Sequence, residues 1–193
     1  MITDIEVIDT GLDSAFNKCI IDTITRTDLW GISPDEKEEF KEGDPYKVDD
    51  ILPDAYSDSG MLIQSFNKGR PNFLNERGSN LNTIAELILN IVLAKQKKYK
   101  FYNVRIVRVL WNYYNRSSSG VFHIDDVREN HGSMVYYLNT CDAYTFIEDK
   151  RFECVMGNAV LFKANKIHKG TGPVVDKHKF CMNVVFEYSD DMV

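Results

Sequence analysis

The chain has 193 residues, 44% of them hydrophobic and 27% charged, which supports one packed core and excludes wholesale disorder. Its formal net charge of −6 argues against a broad cationic surface for phosphate backbones, so nucleic acid is not the expected partner. No segment approaches the roughly 18 apolar residues of a membrane span, and MITDIEVIDT lacks a basic stretch followed by an apolar one; the expectation is a cytoplasmic protein with no membrane partner.

The first element expected is a helix from Asp13 to about Arg26. Leu12, Phe16, Ile20 and Ile24 recur every fourth residue, and Asp13 is placed to cap it. Residues 33–60 mix prolines, glycines and both charges without periodicity, and read as a solvated loop or a lid. A second helical face follows in Leu81, Ile84, Ile88, Ile91 and Val92, with Ser79 as the expected cap and Lys95, Lys97 and Lys98 at the negative end of the dipole.

After Lys100 the pattern changes to short β-rich runs between turns: YNVRIVRVLWNYY, GVFHIDD, SMVYYLN, AYTFIED, RFECVM, NAVLFKA and KFCMNVVFEY. The fold class expected is mainly β with flanking α-helices, the second half forming an antiparallel sandwich or jelly roll. A single domain over 1–193 is expected, with 1–100 a helical and irregular support and 101–188 the core. Cys19, Cys141, Cys154 and Cys181 are scattered without a C-x-x-C pair and read as reduced core thiols.

Within this β-rich half, His123 and Asp125 stand two apart in FHIDD, so a strand there would aim both at one point. His168 follows the NAVLFKA strand and precedes a glycine-rich turn. Two imidazoles and a carboxylate leave coordination positions open, which suits non-heme Fe(II) oxygen chemistry; a catalytic zinc stays open as an alternative, whereas a structural zinc would be expected to recruit cysteine. In KFCMNVVF, period-two alternation puts Lys179, Cys181, Asn183 and Val185 on the interior face. A lysine there needs an anionic partner, and a bound dicarboxylate would serve.

The order His123-x-Asp125, His168, Lys179 resembles the Fe(II)/2-oxoglutarate-dependent oxygenases, in particular their prolyl-hydroxylase-like branch. WNYYNRSSSGVFHIDD, SMVYYLN and GNAVLFKANKIHKG carry the resemblance, over about residues 101 to 188. It implies a double-stranded β-helix with Fe(II) held by His123, Asp125 and His168. It also implies 2-oxoglutarate chelating that iron, its distal carboxylate on Lys179, with Tyr113, Tyr136 and Asn183 lining the pocket. O2 would be the second co-substrate and ascorbate an auxiliary reductant.

The interval from His168 to Lys179 is longer than usual, so Lys177 is the alternative anchor, and Asp142-Ala143-Tyr144 stands where the branch often has a glycine pair. The activity implied is hydroxylation of an unactivated C–H bond, first of a prolyl residue in a protein or peptide, alternatively of a free amino acid or small metabolite. Outside that class stand a metal-dependent jelly-roll enzyme without 2-oxoglutarate and a silent binding module. A nucleic-acid dealkylase is disfavoured because Val185 stands where that branch has a second arginine. His131 and His178 read as surface histidines, Asp126 as a turn or supporting carboxylate, and Arg105, Arg108, Arg116 and Arg128 receive no role.

Overall fold

The computed structural model describes residues 2–26, 31–32, 61–67, 76–116 and 118–189, with backbone alone at 31–32, 61–67 and 76–79. The 33–60 stretch, read as loop or lid, lies outside the described residues. The elements in chain order are β1 (Glu6–Asp9), α1 (Ser14–Thr25), β2 (Gly31–Ile32), β3 (Met61–Asn67), α2 (Glu76–Lys95), β4 (Tyr102–Asn115), β5 (His131–Tyr137), β6 (Cys141–Ile147), β7 (Lys150–Cys154), β8 (Asn158–Lys163), β9 (His168–Gly170) and β10 (His178–Ser189).

The strands form a seven-stranded sheet in the order β1-β8-β5-β10-β4-β3-β2 and a three-stranded sheet in the order β7-β6-β9, with antiparallel pairing throughout. This is the jelly-roll core expected from the β-rich runs. Three strands come from the first hundred residues, where helix and irregular structure were expected. β1 is only four residues long, too short for alternation to declare itself.

Both helices cover the outer face of the large sheet. Asp13 caps α1 as expected, its Oδ1 accepting the Phe16 N–H at 2.8 Å, and Ile20 and Ile24 are buried. Helix α2 starts at Glu76, so Ser79 lies inside its first turns and is not the cap. It buries Leu81, Ala85, Ile88, Leu89 and Val92 with Val109, Trp111, Met134, Tyr136, Leu161, Met182 and Val184 of the sheet. Each such side chain contributes roughly 1.5–3 kcal/mol by leaving water. Gly132 on β5 permits this packing, since a Cβ there would stand 2.5 Å from the Phe186 ring.

A second core lies between the two sheets and contains Val135, Tyr137, Cys141, Ala143, Ile147, Cys154, Val160, Phe162 and Cys181. Cys19 is exposed on α1, so only three of the four cysteines are core thiols. Among the described residues no helix is long and apolar enough to cross a membrane.

Candidate metal centre and anion pocket

The inner face of the large sheet turns polar toward β9 and the 118–126 segment. That segment is not the regular strand expected from FHIDD; it is held by an isolated bridge between His123 and His168. The two backbones exchange hydrogen bonds, His123 N–H to His168 C=O at 2.9 Å and His168 N–H to His123 C=O at 2.8 Å. The Asp125 and Asp126 amides both donate to Ala164 C=O, at 3.0 and 3.2 Å. The backbone therefore fixes all three candidate ligands before any side chain acts.

One ligand atom each from His123, Asp125 and His168 lies within 4.8 Å of the other two. His123 Nδ1 faces Val121 C=O at 3.0 Å and His168 Nδ1 faces Lys166 C=O at 3.0 Å. A carbonyl only accepts, so each Nδ1 carries the proton and each Nε2 keeps a free lone pair, as metal-binding histidines require. His168 Nε2 is 3.4 Å from Asp125 Oδ2, and His123 Nε2 is 3.8 Å from Oδ1.

Asp125 is held by three side chains. Ser133 donates to Oδ2 at 2.5 Å, Asn183 Nδ2 donates to the same oxygen at 3.2 Å, and Arg108 Nη2 is paired with Oδ1. Burial alone would push this carboxyl up, but the Arg108 guanidinium and the two imidazoles hold it well below the usual carboxylate range. Burial pushes His168 down to about 4, so it is neutral near pH 7 and ready to bind a cation.

Lys179 stands farther along β10 with no exposed surface. Its ammonium donates to Tyr144 C=O at 2.9 Å and lies 5.1 and 5.7 Å from the ring centres of Tyr114 and Tyr137. No carboxylate pairs with it among the described residues. The buried hydroxyls of Tyr137 and Thr145 lie side by side, and neither makes a well-formed hydrogen bond among the described residues. Gly170 lets the two side chains approach closely: a Cβ there would stand 2.9 Å from the Tyr114 hydroxyl and 3.4 Å from Lys179 Nζ. A buried ammonium without a carboxylate partner among the described residues, beside two hydroxyls with donors to spare, is a set of groups suited to a carboxylate.

Asn183 joins this face, through Asp125 rather than through the lysine pocket. Lys177 is exposed, so the buried cation is Lys179. Tyr113 and Tyr136 are on the other side of the sheet. Tyr113 packs on Phe180 and its hydroxyl meets His178 Nδ1 at 2.8 Å, while Tyr136 is buried in the helix-side core with its hydroxyl donating to Asn17 Oδ1 at 2.7 Å. Their chain neighbours Tyr114 and Tyr137 face Lys179 instead. The register carries the reason: Lys179 pairs with Tyr114 and Cys181 with Tyr137, whereas Phe180 pairs with Tyr113 and Met182 with Tyr136. Directly paired residues share a face.

Other residues are also relocated. His131 is buried at the start of β5, not in an exposed loop, with Nε2 3.9 Å from Asp126. His178 is exposed as expected, and Asp126 is paired with Arg128. Arg108, given no role from sequence, contacts a candidate ligand; it shares the face of Asn112 and Tyr114, which alternation alone would have indicated.

No family model matches the chain, and no curated protein sequence matches it. Similarity to solved structures is extensive. A viral collagen prolyl hydroxylase from Paramecium bursaria Chlorella virus-1, solved with 2-oxoglutarate, superposes with a TM-score of 0.55 at 14% identity over 97% of each chain. A Trichoplax adhaerens prolyl hydroxylase bound to a hypoxia-inducible-factor peptide gives 0.53 at 13% identity, over 96% of this chain and 83% of that one. The α-ketoglutarate-dependent epimerase SnoN of nogalamycin biosynthesis gives 0.58 at 9% identity, over 94% and 76%. The chain has the jelly-roll fold of the non-heme 2-oxoglutarate oxygenases.

Proposed function

We propose that the protein is an Fe(II)- and 2-oxoglutarate-dependent dioxygenase that hydroxylates an unactivated C–H bond. The observation that carries this reading is the conjunction, on one sheet face, of an open His–Asp–His cluster with a buried lysine that has no carboxylate partner among the described residues. His123, Asp125 and His168 would hold the iron through two Nε2 atoms and one carboxylate oxygen, leaving coordination positions for the co-substrate and O2. Lys179, with the hydroxyls of Tyr137 and Thr145, would take the distal carboxylate of 2-oxoglutarate.

Iron held there would supply O2 activation coupled to decarboxylation of 2-oxoglutarate to succinate and CO2, with one oxygen atom in succinate and the other in the hydroxylated substrate. The chain's own residues hold and orient. Ser133 and Asn183 fasten the Asp125 carboxylate, the carbonyls of Val121 and Lys166 set the imidazole tautomers, and the dry wall around Lys179 strengthens its charge for the co-substrate.

The substrate reading follows from the same likenesses. A prolyl residue of a protein or peptide is supported by the two prolyl hydroxylases. A small molecule is supported by the likeness to SnoN, whose TM-score of 0.58 is in the same range. Calorimetric titration of 2-oxoglutarate into Mn(II)-loaded protein tests the pocket. Lys179→Ala is expected to weaken binding about 10- to 100-fold, the cost of one charge-assisted contact, and Lys177→Ala to leave it unchanged. Equal affinity in wild type and Lys179→Ala would move the reading to a metal-dependent enzyme that does not use 2-oxoglutarate.

A further inference from the structure

Arg108 stands at the end of the inner face opposite Lys179. It pairs in register with Val185, six residues along β10 from Lys179, or about 20 Å of strand. Between the two cations lies Asp125, the one carboxylate that Arg108 contacts among the described residues. The neighbouring acids are engaged elsewhere: Asp126 with Arg128, Glu129 with Lys163. The Arg108 Nε–H is buried and has no hydrogen-bond partner among the described residues, so the guanidinium is only partly satisfied.

The charges around this face do not close when the proposed occupants are added. A divalent metal and the Asp125 carboxylate leave one positive charge, the two charges of 2-oxoglutarate reverse it, and Lys179 brings the sum to zero. Arg108 then stands as surplus, because the carboxylate that balances it in the free protein has been taken by the metal. A guanidinium does not shed its proton, so the surplus must be met by an incoming anion or by water. The site opens at this end: the side chains of His123 and Arg108 are 45% and 25% exposed, against 1% for Asp125 and none for Lys179.

Resting on the iron and 2-oxoglutarate reading above, we infer that Arg108 is a specificity-determining residue that binds a carboxylate of the substrate beside the metal. The substrate class is then a carboxylic acid, supplied either as a free amino acid or as an acidic side chain in a peptide. The guanidinium that contacts Asp125 through Nη2 alone is a planar fork suited to hold such a group in two-point fashion, and its spare Nε–H is one of the donors.

The test uses anaerobic protein loaded with Mn(II) and 2-oxoglutarate, screened by thermal shift and then calorimetry. The probes are the twenty free L-amino acids, their amides, and the capped peptides acetyl-Asp-Pro-amide and acetyl-Ala-Pro-amide. At least one acid is expected to bind about ten-fold or more tightly than its neutral counterpart. Arg108→Gln brings the ratio near one, and Arg108→Lys keeps part of it. A free amino acid preferred over its amide identifies the first source; the Asp-Pro peptide preferred over Ala-Pro identifies the second. The absence of any acid preference in wild type, or a preference that survives Arg108→Gln, overturns the inference. Titration of 2-oxoglutarate into the same protein carrying Mn(II) alone separates the two readings: if it binds and acids are not preferred, only the Arg108 assignment falls.

Discussion

The two faces of the large sheet are built from the same strands and have opposite chemistry. Toward the helices, β4, β5 and β10 present Val109, Trp111, Met134, Tyr136, Met182 and Val184, closed and dry. Toward the small sheet the residues in between present Arg108, Tyr114, Ser133, Tyr137, Lys179 and Asn183, with charges and unsatisfied donors. Stability and chemistry are thus separated by one step of the chain, because successive side chains point to opposite sides. The helix-covered face supplies the rigidity that lets the other keep a buried ammonium and a buried carboxylate without collapsing around them.

The sharpest way to break this division is to strike one face and measure the other. Trp111→Ala is expected to cost about 3–5 kcal/mol in chemical denaturation, the usual penalty for emptying a large aromatic site. The molecules still folded should bind Mn(II) as wild type does. A lost metal affinity in that folded fraction would mean that the faces are not separable. On the inner face, Lys179→Met should leave stability unchanged or slightly raised, since an apolar side chain of similar length replaces a buried charge.

Acid should distinguish the faces next. The neutral His168 of the fold takes up a proton only near pH 4, against about 6.5 in the unfolded chain. Between these values the unfolded state binds more protons, so metal-free protein loses stability as the pH falls from about 6.5 to about 4, by up to roughly 3 kcal/mol. Melting after chelation at pH 7 and pH 5 measures this, and His168→Gln should flatten the slope; a slope unaltered by that variant would place the acid sensitivity elsewhere. Ser133→Ala should weaken metal binding about ten-fold by loosening the Asp125 carboxylate, with little change in melting. The smallest effect belongs to the outer layer: Asp13→Ala should cost about 1 kcal/mol by removing the α1 cap and leave metal and 2-oxoglutarate affinities untouched.

The sequence carried the β-rich half, the α1 cap and the His123, Asp125, His168, Lys179 order because each rests on local pattern. What it lacked was pairing. Tyr113 and Tyr136 were placed by distance from a motif, whereas the face of a tyrosine is decided by the residue opposite it on β10, where Lys179 selects Tyr114 and Cys181 selects Tyr137. Alternation along β4 marks Arg108 as inward, yet Asp125 lies 17 residues on in a segment outside any strand, and no periodicity encodes their meeting. His131 looked exposed in a polar loop because its strand begins on that residue, and the three N-terminal strands were too short or too distant from their partners to announce themselves.

The central claim is that the polar face holds iron and 2-oxoglutarate together. Anaerobic addition of Fe(II), then 2-oxoglutarate, to metal-free protein tests it most directly through the visible charge-transfer absorption of a bidentate 2-oxoglutarate chelate. The account predicts that this band appears in wild type, needs far more 2-oxoglutarate in Lys179→Ala, and is absent from His123→Ala. Iron binding without the band would contradict it.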